Sequence, residues 1–195
     1  MKKNKIFAFL IVTLLLLLTA CGSNKIPNAT NWELADFEHI NQDNEPFGLS
    51  DLKGNITVAT LIFTNCTTVC SPMTANMAKL QVMAADQQLP VQFLSFSVDP
   101  ERDDPETLKE FAERFDADFN NWNFITGYSQ KYIEEFGQKN FKTWIVKPKN
   151  DPHAEVIHGT SFYLIDQNGI IVKSYDGTDV PYEEILDHIQ ILANE

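Results

Sequence analysis

Two rhythms of apolar and polar positions organise this chain. Residues 56–63 (ITVATLIF) are almost all apolar or β-branched, the pattern of a central strand covered on both faces. Residues 91–98 (VQFLSFSV) repeat that pattern, and residues 122–126 give a shorter version. Helical spacing appears in between: Met73, Met77, Leu80 and Ala84; then Leu108, Phe111, Ala112 and Phe115; then Tyr132, Ile133 and Phe136. Ser71-Pro72, Asp104-Pro105 and Ser129 mark where these helices should begin. Residues 161–165 and 170–175 flank Asp166-Gln167-Asn168-Gly169, a hairpin signal, and Asp179 and Pro181 introduce a last helix bearing Tyr182, Ile185, Leu186 and Ile189. Short apolar patches broken by Asn41, Asp43 and Asn44 predict a hairpin over residues 32–47. Residues 137–157 follow neither rhythm; 144–146 are expected to pair with another strand and 148–152 to form an exposed loop.

The resulting order is β-α-β-α-β-α, then a β-hairpin and a helix. Parallel crossovers closed by an antiparallel hairpin predict a thioredoxin-like α/β fold, with a central mixed sheet flanked by helices and an N-terminal β-hairpin extension.

The first twenty residues stand outside this scheme. Lys2, Lys3 and Lys5 precede an apolar run over residues 6–18, too short for a comfortable membrane span, and Thr19, Ala20 and Cys21 close it. Leu18-Thr19-Ala20-Cys21 resembles the lipobox of bacterial lipoproteins, which implies a signal peptide over 1–20 and lipidation of Cys21. Residues 21–31 are polar and carry Pro27, so they are expected to tether the domain, 32–195, to the membrane. These features predict a lipid-anchored protein facing the extracytoplasmic side of the cell membrane.

The formal net charge of −12 argues against nucleic acid and against docking on anionic lipid through a basic patch. It names no partner. The cysteines say more. With Cys21 assigned to lipid, only Cys66 and Cys70 of the three cysteines remain. A bridge between them would close a tiny loop and stabilise the fold little, so function is favoured over stapling.

Cys66 and Cys70 follow a core strand and precede a helix N-terminus, whose positive potential favours thiolate. A thiolate serves disulfide exchange and soft-metal binding alike, so spacing alone leaves both open. The Met73/Met77 stripe could be a methionine metal face, but core packing is the commoner cause. A third ligand has four candidates. His39, in the hairpin, and His188, in the last helix, are expected at the surface, and His153 lies in the Pro-flanked loop. His158, just before the hairpin strand, can reach the cysteine mouth in this fold. A peroxidatic reading lacks an Arg beside Cys66.

The stretches FTNCTTVCSPMTANM (63–77), SVDPERDDPETL (97–108), WNFITG (122–127) and IHGTSFYLIDQNG (157–169) together resemble the Sco/SenC family, in family order and across nearly the whole domain. The resemblance implies a thioredoxin-like, membrane-anchored copper protein that assists assembly of the dinuclear copper centre of cytochrome c oxidase. Its partners would be the oxidase's copper-centre subunit and other copper chaperones. Carried over by position, it implies Cys66, Cys70 and His158 as ligands of Cu(I) or Cu(II). Asp99 falls on an acidic position near the site, assigned to tuning or partner contact. Many members have proline directly after the second cysteine; here Ser71 intervenes. The alternative function is a thiol–disulfide oxidoreductase acting on the copper-ligand cysteines of the oxidase subunit or on another exported disulfide. In that role Cys66 attacks and Cys70 resolves.

Overall fold

A computed structural model of the chain describes residues 26–148 and 154–195. Residues 1–20, Cys21 and His153 lie outside the described residues.

Among the described residues, eight strands and five α-helices follow the expected order. They are β1 (Trp32–Glu33), β2 (Glu38–Ile40), β3 (Pro46–Gly48), α1 (Leu49–Leu52), β4 (Ile56–Ile62), α2 (Cys70–Asp86) and β5 (Val91–Ser97). There follow α3 (Pro105–Glu113), β6 (Trp122–Ile125), α4 (Gln130–Phe136), a π-helical turn (Gly137–Phe141), β7 (Ser161–Ile165), β8 (Ile170–Asp176) and α5 (Tyr182–Ala193). The main sheet runs β1-β8-β7-β4-β5-β6. Strands β4, β5 and β6 are parallel, whereas β7 runs antiparallel to β4 and β8 to β7.

Strand β4 is buried along its whole length. Its period of two feeds two cores: Ile56, Val58 and Ile62 join one layer with α2, α3 and α5, and Ala59, Leu61 and Phe63 join the other with α4 and the π-helical turn. Each such side chain contributes roughly 1.5–3 kcal/mol by leaving water, so the strand that carries the cysteine loop is among the most firmly held. Met73 and Met77 lie fully buried in the first core, which settles the methionine stripe as packing.

Several local expectations are corrected. The N-terminal hairpin is β2 with β3, whereas β1 leaves it to pair with the sheet edge through Trp32 and Ile171. The helix after the cysteines begins at Cys70, one residue before the expected Ser71 cap. Pro72 is still accommodated, because first-turn N–H groups need no helical acceptor. In the β7–β8 turn only Gly169 takes positive φ, at 84°, while the Asp166 carboxylate accepts from the N–H groups of Asn168 and Ile170. Packing also reaches back beyond Trp32. Ile26 is buried, and Thr30 donates its N–H to Val172 and its hydroxyl to Ile171, at 2.7 and 2.6 Å. Among the described residues no helix is long and apolar enough to cross a membrane.

Candidate metal centre

The topology brings the cysteines and His158 to one place. Parallel strands β4 and β5 end at the same edge, where crevices form in open α/β sheets. Because β7 is antiparallel to β4, with Ala59 opposite Tyr163, the chain entering β7 starts at the edge where β4 finishes. Thr60 Oγ1 donates to the Ser161 carbonyl across that junction. The loop from Phe63 to Cys70 and the segment ending in His158 therefore face each other. Between them lies a cavity of about 210 Å³ lined by Phe63, Cys66, Val69, Glu155, Ile157 and His158, among others.

Within this mouth the two thiols differ. Cys66 is partly exposed and Cys70 buried; both are free. The Cys66 sulfur accepts the Cys70 N–H at 3.4 Å, supplying the acceptor that the helix start otherwise lacks, since Val69 gives no side-chain cap. Partial burial pushes the Cys66 thiol up, but hydrogen bonds from Cys70 and Thr68 outweigh it and bring the thiol below the ordinary cysteine value. Burial pushes Cys70 far above that value, and the Cys66 sulfur and the nearby Asp103 carboxylate add to the effect.

His158 completes the cluster. Its Nε2 lies 3.5 Å from the Cys70 sulfur, its Nδ1 lies 2.8 Å from the Gly159 carbonyl, and its ring meets Phe63 edge-on. The Nδ1 contact fits an N–H on that nitrogen, leaving the Nε2 lone pair toward sulfur. Burial holds the imidazole below its ordinary pKa of 6.5, so at neutral pH it is a neutral donor. Two sulfurs and a neutral imidazole suit soft or borderline metals, copper above all. Among the described residues no three His, Cys, Asp or Glu side chains already converge on a common ion position. Cys70 and His158 touch, whereas the Cys66 sulfur is turned to the helix start.

The other histidines correct the sequence expectation. His188, expected at the surface, is 5 % exposed in the core and shares a 2.7 Å hydrogen bond with the Tyr175 hydroxyl. His39 is half-buried, its ring edge-on to Tyr128 and Tyr132. Neither lines the cysteine cavity.

Asp99 sits at the end of β5 with its side chain wholly buried, ion-paired to Arg102 and, at 2.7 Å, to Lys147. That burial leaves no part of the carboxylate at the surface for a partner. Arg102 also donates to the Ala154 carbonyl at 3.0 Å, tying the Asp99 turn to the segment that leads to His158. Two acidic residues escaped the sequence reading. Asp103 is fully buried and accepts from Ser97 Oγ and from the Thr64 hydroxyl at 2.6 Å each, anchoring the chain two residues before Cys66. Burial raises its pKa against those hydrogen bonds. Glu155 accepts from the N–H and hydroxyl of Thr67, at 2.8 and 2.6 Å, and those bonds lower its pKa. In sequence Asp103 is indistinguishable from its neighbour Asp104, which instead caps α3 through the Thr107 N–H.

Comparison with known proteins decides the family. The SCO1/SenC family model matches residues 27–194. The chain is a member of the SCO1/SenC family. It is 44 % identical over 176 residues to the SCO1 protein homolog of Bacillus subtilis, covering 90 % of each chain. It superposes on the crystal structure of a SCO1/SenC family lipoprotein from Bacillus anthracis with TM-score 0.83 and 53 % identity, covering 87 % of this chain and 99 % of that one. BsSco, described as a cytochrome c oxidase assembly protein with a disulfide switch, matches with TM-score 0.79 and 42 % identity, covering 87 % and 98 % of the two chains. Bradyrhizobium japonicum ScoI, solved with copper bound, gives TM-score 0.67 at 25 % identity, covering 81 % and 98 %. The thioredoxin-like SCO1/SenC fold expected from the sequence is therefore the observed one.

Proposed function

We propose that this SCO1/SenC protein binds copper through Cys66, Cys70 and His158 and takes part in metallating the dinuclear copper centre of cytochrome c oxidase. The observation that carries this reading is the neutral His158 imidazole, whose Nε2 lies 3.5 Å from the sulfur of the free, buried Cys70, at a cavity that the free thiol of Cys66 also lines. The copper-bound relative and the relative described as an oxidase assembly protein support it. Copper is cargo here. Two thiolates satisfy Cu(I), whereas Cu(II) favours the added imidazole, so the same residues accept either oxidation state. Buried Cys70 must lose its proton to bind, so metal uptake releases protons and strengthens as pH rises. Release proceeds by ligand exchange with the receiving copper-centre subunit, and Cys66, at the exposed side, is the first ligand a partner thiol can replace. Asp99 acts as a tuning residue, through Arg102 and the chain before His158. Lipidation of Cys21, with residues 1–20 as signal peptide, holds the domain at the extracytoplasmic face of the cell membrane, within reach of the oxidase and of other copper chaperones.

The asymmetry of the thiols favours a second role. A half-exposed thiol with lowered pKa beside a buried one with raised pKa is the arrangement of an attacking and a resolving cysteine. Thiol–disulfide exchange with the copper-ligand cysteines of the oxidase subunit would use the same residues. Gene deletion followed by an oxidase assay separates the roles. Rescue by added copper supports delivery, and rescue by a reductant alone supports disulfide reduction.

A further inference from the structure

Two segments distant in sequence build the candidate centre, and side-chain contacts join them. The stretch from Cys66 to Cys70, at the start of α2, supplies both sulfurs; the segment from Ala154 to His158 supplies the imidazole. One link is the 3.5 Å contact between the Cys70 sulfur and His158. Another is Glu155, whose single oxygen Oε1 takes both the N–H and the hydroxyl of Thr67, the residue next to Cys66. The segment is itself anchored from behind. Val146 and Ile157 exchange two backbone hydrogen bonds of 2.9 and 3.0 Å, and Arg102 holds the Ala154 carbonyl. Glu155 thus ties the cysteine loop to a braced segment.

We propose that Glu155 is a positioning residue for the metal centre: by clasping Thr67 it holds the cysteine loop in register with His158, and so favours the three-ligand state over the two-thiolate state. The inference rests on copper binding by Cys66, Cys70 and His158. Its physical basis is that Cys66 and Cys70 lie four residues apart, with the Cys70 N–H at the start of α2 donating to the Cys66 sulfur, which keeps the two sulfurs together whether or not Glu155 is present. The imidazole belongs to the other segment, and its distance from Cys66 depends on how the two segments are tied. Loosening the tie penalises Cu(II), which uses the imidazole, and spares Cu(I), which two thiolates satisfy. Outer contacts that orient ligands are worth about 10–100-fold in metal affinity, and an exposed clasp belongs near the lower end.

Glu155→Ala removes both hydrogen bonds, whereas Glu155→Gln keeps a carbonyl oxygen in their place. Competition titrations with Cu(II) and with Cu(I), each against a chelator of known affinity, should show Glu155→Ala about tenfold weaker for Cu(II) and within about twofold for Cu(I). The thiolate-to-Cu(II) charge-transfer band should shift or weaken in the same variant. Glu155→Gln should restore both readouts. Equal loss of the two oxidation states, or no loss, in a variant of unchanged melting temperature overturns the clasp. A second readout needs no metal. In the apo protein, exchange of the Thr67 amide hydrogen should accelerate in Glu155→Ala and stay slow in Glu155→Gln. If the parent chain itself fails to bind copper, the copper reading falls, and the Thr67 amide still decides the clasp. Unchanged exchange there overturns it.

Discussion

His158 and His188 are the same residue type in related electrostatic circumstances, and they do different things. Burial holds both imidazoles below their ordinary pKa of 6.5. His188 lies on α5 and satisfies its Nδ1 with the phenolic hydroxyl of Tyr175, inside a packed core. His158 satisfies Nδ1 with a neighbouring carbonyl and turns Nε2 to sulfur, at the wall of a cavity. A depressed pKa therefore does not separate a ligand from a core histidine. What separates them is the second nitrogen: which atom it faces, and whether space is left for a ligand there.

The largest expected effect comes from removing the sulfurs on the His158 side of this contrast. Cys66→Ser and Cys70→Ser should each weaken Cu(I) by more than about a hundredfold in chelator competition, beyond what outer contacts supply. Retention of tight binding would place the centre elsewhere. His158→Ala should weaken Cu(II) by at least about tenfold while leaving Cu(I) much closer to the parent, and His188→Ala should alter neither affinity. Equal loss of both oxidation states on removing His158 would break the contrast from one side. Loss of copper binding on removing His188 would break it from the other.

Stability should invert the order. His188→Ala leaves the Tyr175 hydroxyl unpaired in the core and should cost about 1–3 kcal/mol in urea unfolding, before any cavity is counted. His158→Ala, at a cavity wall, should cost less. Thiol chemistry sharpens the same boundary. At neutral pH iodoacetamide should modify Cys66 before Cys70, read by peptide mass mapping, because one thiol is lowered and partly exposed and the other raised and buried. Preferential labelling of Cys70 would reverse the assignment of attacking and resolving cysteines.

The smallest effect is the dependence of stability on pH. Both imidazoles have folded-state pKa values below 6.5, so below that pH the unfolded chain binds protons that the folded chain refuses. Their contribution to stability is present above pH 6.5 and is lost as pH falls through the folded-state values. Urea midpoints should therefore drop between pH 7.5 and 5.5, and His188→Gln should flatten the drop. An identical slope in parent and variant would show that His188 does not carry it.

Much of this was legible from residue patterns, and the exceptions share a cause. Strands β4 and β5 announce themselves because burial on both faces fills them with apolar and β-branched residues and leaves no polar-apolar alternation, and the junction between β4 and α2 displays its two cysteines outright. Residue type alone puts His188 at the surface, but its position in α5 does not. Standing three residues after Ile185 and four before Leu192, it shares their buried face. The start of α2 was misplaced by one residue because the acceptor at its first N–H is the Cys66 sulfur rather than a Ser side chain. Residues 137–157 resist assignment because their described part holds a π-helical turn and an isolated bridge between Val146 and Ile157, neither of which has a sequence period. Glu155 and Asp103 were invisible for a different reason. Their partners, Thr67 and Thr64 with Ser97, lie far along the chain and meet them only once the sheet is assembled.

X-ray absorption at the copper edge of the Cu(II)-loaded chain tests the central claim most directly. The account predicts scattering from two sulfurs and one imidazole nitrogen, the nitrogen vanishing in His158→Ala and persisting in His188→Ala. A copper shell of oxygen and nitrogen alone, without sulfur, would contradict it.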